Sequence, residues 1–128
     1  MQETFDSGKR SLLSLICHGC TLFGLSTVTV IAPIVVLFLS DDPVVKGNAK
    51  ESINFHFNIW FWAAVLGVIW WLNVAFFGWI TLGLGFLFCA ILSAFGFLWH
   101  FGWSIVAITK TLANPNEVFR YPFILRLL

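Results

Sequence analysis

Polar side chains able to do chemistry gather in three places along this chain. Glu51, Asn54 and Asn58 stand at i, i+3 and i+7, one face of a helix. His56 and His100 are separated by a long uncharged run, and Cys17-His18-Gly19-Cys20 packs two thiols around an imidazole. Two histidines at one level of a helical bundle could ligate haem iron or chlorophyll magnesium. Alternatively, each could bond a backbone carbonyl or interfacial water. The second use requires no further ligands, and nothing near either histidine completes a metal shell. The Cys-His-Gly-Cys order is not the haem-attachment order, because its histidine lies inside the pair. The reading is therefore no metal and no cofactor, with haem or chlorophyll as the alternative at His56 and His100. No phosphate loop, no Ser/His/Asp set and no buried carboxylate pair is visible, so the chain reads as a non-enzyme.

The setting of these residues is apolar. The 128 residues are 59% hydrophobic and 10% charged, with fifteen Phe and seven Trp, whereas soluble domains carry about 25% charged residues. A small domain buries only about two-thirds of the surface its unfolded chain exposes, so lipid must solvate most of these side chains. The net charge of +1 points to no nucleic-acid partner. The three cysteines lie in apolar runs and read as small hydrophobes. The start, MQETFDSGKR, does not read as a signal peptide, since acids precede its basic pair and the apolar run that follows is too long.

Charges divide the chain. A span needs about 20 helical residues. We expect an all-α transmembrane fold with three spans: a polar head at 1–11, a first span at 12–39, a connector at 40–48, spans at 49–76 and 80–111, and an interfacial tail at 112–128. The first span is expected to kink, or alternatively to break, near Gly24–Thr29. The last two form a hairpin turning near Gly78, with small residues Gly83, Ala90, Ala94 and Gly96 available for close packing. A turn near Gly78 puts His56 and His100 at similar depth. Asn48 and Glu51 read as a helix cap, in capping-box spacing. Arg120, Tyr121 and Arg126 read as tail anchors, with Arg120 a candidate partner for Glu51. With three spans, Lys9 and Arg10 lie opposite Lys46, Lys50, Lys110, Arg120 and Arg126, so the connector and tail are expected in the cytoplasm.

The segment GNAKESINFHFNIW and the tail FRYPFILRLL, with ICHGC and VIAPIVVLFL before them, resemble the Tic-twenty-like family of small membrane proteins over about His18 to Leu128. The resemblance implies a bundle of three or four spans in a bacterial inner membrane or a thylakoid. Plastid relatives of that family are protein-import components, its magnetosome relatives influence mineral growth, and most bacterial members have no assigned role. His56 stands where the family carries glutamine. The leading expectation is a non-enzymatic accessory or scaffold subunit, partnered by the bilayer and by other integral membrane proteins. The alternatives are a translocation or insertion component using the Glu51–Asn54–Asn58 face, and a haem or pigment subunit.

Overall fold

The computed structural model describes residues 5–128; the first four residues of the expected head lie outside the described residues. The chain is all-helical, with no strand among the described residues. Helix α1 covers Ser7–Thr21, α2 Ile31–Leu39 and α3 Pro43–Leu72. Helix α3 continues through a wide-turn segment, Asn73–Phe77, and a last turn, Gly78–Ile80. Helix α4 covers Leu84–Ala113.

Among the described residues two helices, Pro43–Ile80 and Leu84–Ala113, are long and apolar enough to cross a membrane, rather than the three expected. The expected span at 12–39 is two short helices joined by a turn. At about 1.5 Å per residue, α1 rises only about 22 Å and α2 about 14 Å, both short of the hydrocarbon thickness of about 30 Å. The pair is antiparallel: Arg10 at the start of α1 bonds Asp42, which follows α2. The chain thus dips into the bundle and returns to the end it left.

Gly24 makes this reversal possible. A Cβ there would lie 2.6 Å from Ile59 Cδ1 and 2.9 Å from the Thr21 carbonyl oxygen, so only glycine lets the turn press against α3. The turn lies beside Trp60, about 25 Å along α3 from its charged start. Irregular backbone at such depth is tolerated only where protein supplies the hydrogen bonds that water cannot. Trp60 Nε1 donates to the Gly24 carbonyl at 2.8 Å, His100 Nε2 to the Thr21 carbonyl at 2.6 Å, and Thr29 Oγ1 to the Ser26 carbonyl at 2.8 Å.

Helix α3 begins at Pro43, six residues before the expected start of its span. Asp42 is its cap and accepts from Val44 N at 2.9 Å, while Pro43 occupies the first turn, where no N–H is required. Asn48 and Glu51 are therefore inside the helix and cap nothing. The α3–α4 turn is also displaced. It falls at Thr81–Gly83 instead of at Gly78, which stays helical at φ −61°. Gly83 takes the left-handed conformation, φ 90°, that starts α4, and Thr81 Oγ1 accepts from Gly85 N.

Packing is concentrated in the half of the bundle nearest the charged end. Phe55, Ile59, Ala107, Tyr121 and Ile124 form one core, and Cys17, Val36, Val45 and Ala49 another. Beyond Trp60 the α3–α4 hairpin is bare: Phe61, Trp62, Trp71, Phe88, Phe95 and Leu98 are all exposed.

Candidate functional site: a polar face that clasps the tail

Along the buried face of α3, Asn48, Glu51, Asn54 and Asn58 hold the C-terminal tail, while Ser52 Oγ donates to the Cys17 carbonyl of α1. The tail is not helical; it runs back beside α3 in the same direction as far as Leu125, which meets Asn58, and then doubles back so that Leu127 and Leu128 meet Asn54. Asn48 Oδ1 accepts from Phe119 N at 2.9 Å, and its Nδ2 reaches the Glu117 carbonyl and Ser14 Oγ. Glu51 Oε2 accepts from Tyr121 N at 3.1 Å. Asn54 Oδ1 accepts from both Leu127 N and Leu128 N. Asn58 makes a two-way bond with Leu125, donating to its carbonyl at 2.8 Å and accepting from its N–H at 3.0 Å. The helix spacing of 48, 51, 54 and 58 keeps all four amide and carboxylate groups on one side, where they substitute for the partner strand the tail lacks. Asn54 Nδ2 finds no partner among the described residues, so that rung holds through its oxygen alone.

Glu51 also forms an ion pair with Arg126, Nε to Oε1 at 2.6 Å. Its carboxylate holds the Arg126 guanidinium above its ordinary pKa. Arg120, the expected partner, is exposed and forms no ion pair among the described residues. The tail turns at Phe123, φ 57°, which carries Arg126 rather than Arg120 to the carboxylate. Tyr121 is fully buried, stacked on Phe55 at 4.0 Å between ring centroids.

His18 ties α1 to this clasp. Asn48 Oδ1 can only accept, so His18 Nε2 carries the hydrogen at 2.9 Å, and His18 Nδ1 accepts from Tyr121 Oη at 2.9 Å. Both ring nitrogens are thereby occupied. Asn48 was expected as a helix cap and instead holds the tail, and His18, noted only as part of the Cys-His-Gly-Cys cluster, was not expected to bond either Asn48 or Tyr121. Asn48 lies on the same helical face as Glu51, and that spacing was the available signal. His18 lies 103 residues from Tyr121, and no local pattern marks the contact.

His56 and His100 sit near one another in depth, since the Phe55 ring centroid is 6.0 Å from that of His100. They do not bond to each other. His56 Nδ1 donates to the Ser52 carbonyl at 2.8 Å and its Nε2 faces Thr29 Oγ1, while His100 serves the Thr21 carbonyl. Cys17 and Cys20 are free thiols, as is Cys89. Among the described residues no three His, Cys, Asp or Glu side chains come together as a metal-holding group.

At the charged end, Arg10 bridges Asp42 Oδ2 at 2.6 Å and Asn116 Oδ1 at 2.6 Å. Burial works against ionisation of Asp42. The Arg10 guanidinium and the Val44 and Val45 N–H groups outweigh it and hold the carboxyl below its ordinary range. Head, connector and tail therefore share one end. All seven Lys and Arg residues belong to that end, which replaces the expected division of charge across the membrane.

The sequence profile of the magnetosome magnetite crystal formation protein family matches residues 9–128. The chain belongs to this family. The match covers the α1–α2 dip, both spans and the whole clasped tail, so the family's sequence pattern extends over the entire packed unit. It overturns the Tic-twenty-like assignment, whose short motifs, now seen as the clasp residues 48–55 and the tail residues 121–126, did not discriminate between families. The family's description and the two long apolar helices make this an integral membrane protein of magnetite crystal formation. Neither protein import nor haem binding follows from that description. No curated protein and no solved structure matches the chain.

Proposed function

We infer that this protein is a non-enzymatic accessory or scaffold subunit of a larger membrane assembly serving magnetite crystal formation. The observation that carries this reading is the contrast between the two halves of the hairpin. In the half near the charged end, α1, α2 and the tail cover α3 and α4, and Glu51, Asn48, Asn58 and all three histidines are committed to structural bonds. The far half displays large aromatic and aliphatic side chains on both helices. A rigid base that presents a long bare helical pair suits packing against other membrane helices, where shape complementarity drives association. The concentration of all seven basic residues at one end supports a cytoplasmic location for the head, connector and tail.

Photo-crosslinking tests the reading. A photoreactive phenylalanine analogue at Phe88 or Phe95 is expected to capture other integral membrane proteins in native membranes. The same analogue at the buried Phe55 is expected to give only intrachain products, with the tail and with α4. If Phe88 and Phe95 yield lipid adducts alone, the scaffold reading fails.

A further inference from the structure

Where the start of α1, the end of α2 and the start of α3 meet, they line a half-open cavity of about 400 Å³. It belongs neither to the tail clasp nor to the bare hairpin. Its floor is apolar, formed by Leu13, Val36 and Val45, with the exposed Val35 and Leu39 at its mouth. Its mouth is charged, and the charges are of two kinds. Arg10 and Asp42 satisfy each other, and Asp6 accepts from Gly8 N as the cap of α1. Lys9 and Asp41 remain. Both are exposed, both line the cavity, and neither enters an ion pair among the described residues.

We propose that this cavity binds the headgroup and upper acyl chain of a zwitterionic phospholipid with a primary amine, phosphatidylethanolamine. Three features specify the ligand. The cavity lies at the charged end of a membrane bundle, the level at which headgroups are found. Its volume falls within the range of roughly 300–1,000 Å³ usual for small-molecule sites. Its mouth offers one cation for a phosphate and one carboxylate for an ammonium, over a floor that suits hydrocarbon. An anionic phospholipid would satisfy Lys9 but bring a second negative charge toward Asp41. A choline headgroup would supply the positive charge without the N–H donors that make a charge-assisted hydrogen bond to a carboxylate. The acyl chain would leave over Leu39 and Phe38, which are about 80% exposed.

The test is native mass spectrometry of the full chain in mild detergent, titrated in parallel with phosphatidylethanolamine, phosphatidylcholine and phosphatidylglycerol. One phosphatidylethanolamine per chain is expected, retained about tenfold better than phosphatidylglycerol. Lys9→Gln is expected to weaken retention of phosphatidylethanolamine. Asp41→Asn is expected to erase the preference over phosphatidylglycerol. Val35→Trp, which fills the mouth, is expected to abolish retention. Lys9 and Asp41 are exposed, so their variants leave the fold intact, and an unchanged circular dichroism spectrum verifies this for all three. Equal retention of the three lipids by the unaltered chain, or retention insensitive to Lys9→Gln and Asp41→Asn, overturns the proposal.

Discussion

Arg126 Nε lies 2.6 Å from Glu51 Oε1, joining the end of the tail to a carboxylate inside a membrane helix. The pair closes a ladder in which Asn48, Glu51, Asn54 and Asn58 replace the backbone partners of residues 117–128. The polar face that could have lined a groove is filled by the chain itself.

The two ends of this ion pair should respond unequally. The Arg126 side chain is 40% exposed and Glu51 is 8% exposed. Solvent screens the pair, so Arg126→Ala is expected to cost only about 1 kcal/mol. Glu51→Ala also deprives Tyr121 N of its acceptor and is expected to cost about 1–3 kcal/mol more. Hydrogen exchange of the Tyr121, Leu125 and Leu127 amides reads both. Equal acceleration in the two variants would contradict this ranking.

Asn48 is the most connected rung, bonded to His18, Ser14, Phe119 and the Glu117 carbonyl. Asn48→Ala strands several buried groups at once and is expected to lower stability by about 2–4 kcal/mol. Thermal unfolding in detergent measures it. A loss below that of Arg126→Ala would show that the ladder is held elsewhere.

Gly24→Ala should destabilise by about 1–3 kcal/mol, because its Cβ meets Ile59 and the Thr21 carbonyl. Gly67→Ala supplies the contrast. A Cβ there meets nothing within 4 Å, and alanine is the better helix former, so this variant should be neutral or slightly stabilising. Comparable melting temperatures for the two variants would refute the close approach of the turn to α3.

The start of α3 carries a pH dependence of known sign. Asp42 is held below its ordinary pKa of 3.8, so its stabilising effect is complete above that value and is lost as pH falls through the lower folded value. Between pH 5 and pH 8, Asp42 should therefore contribute no pH dependence. Asp42→Asn should remove the acid-range loss and cost about 1 kcal/mol at neutral pH by weakening the cap and the Arg10 pair. Unfolding midpoints recorded from pH 3 to pH 8 decide the point.

The all-helical class was legible in composition, and the common face of Glu51, Asn54 and Asn58 in helical spacing. The occupant of that face was not. The tail contacts it across 67 to 75 residues, and its extended backbone has no periodicity that names a partner. The first apolar run was expected to span because its length suffices, with a break near Gly24–Thr29 as the alternative, and that break is where the chain turns. Gly24 and Thr29 decide that it turns, through contacts with Ile59, Trp60 and the Ser26 carbonyl that are visible only in three dimensions. The true helix start was written locally in Asp42-Pro43, a cap followed by a first-turn proline, but the capping-box spacing of Asn48 and Glu51 mimicked a later start. His56 and His100 resemble ligands in sequence because a lone apolar-run histidine gives no sign of which carbonyl it serves.

The central claim is that the first apolar run returns to the end it left, so that head, connector and tail meet there. The most direct measurement is the distance between spin labels at Lys9 and Asn116, in a chain whose three cysteines have been replaced and which has been reconstituted in bilayers. Arg10 bonds Asn116 at 2.6 Å, so the two labels should lie well inside the hydrocarbon thickness of about 30 Å. A distance at or beyond that thickness would mean that the run spans the membrane, and would contradict the two-span fold and the clasp built upon it.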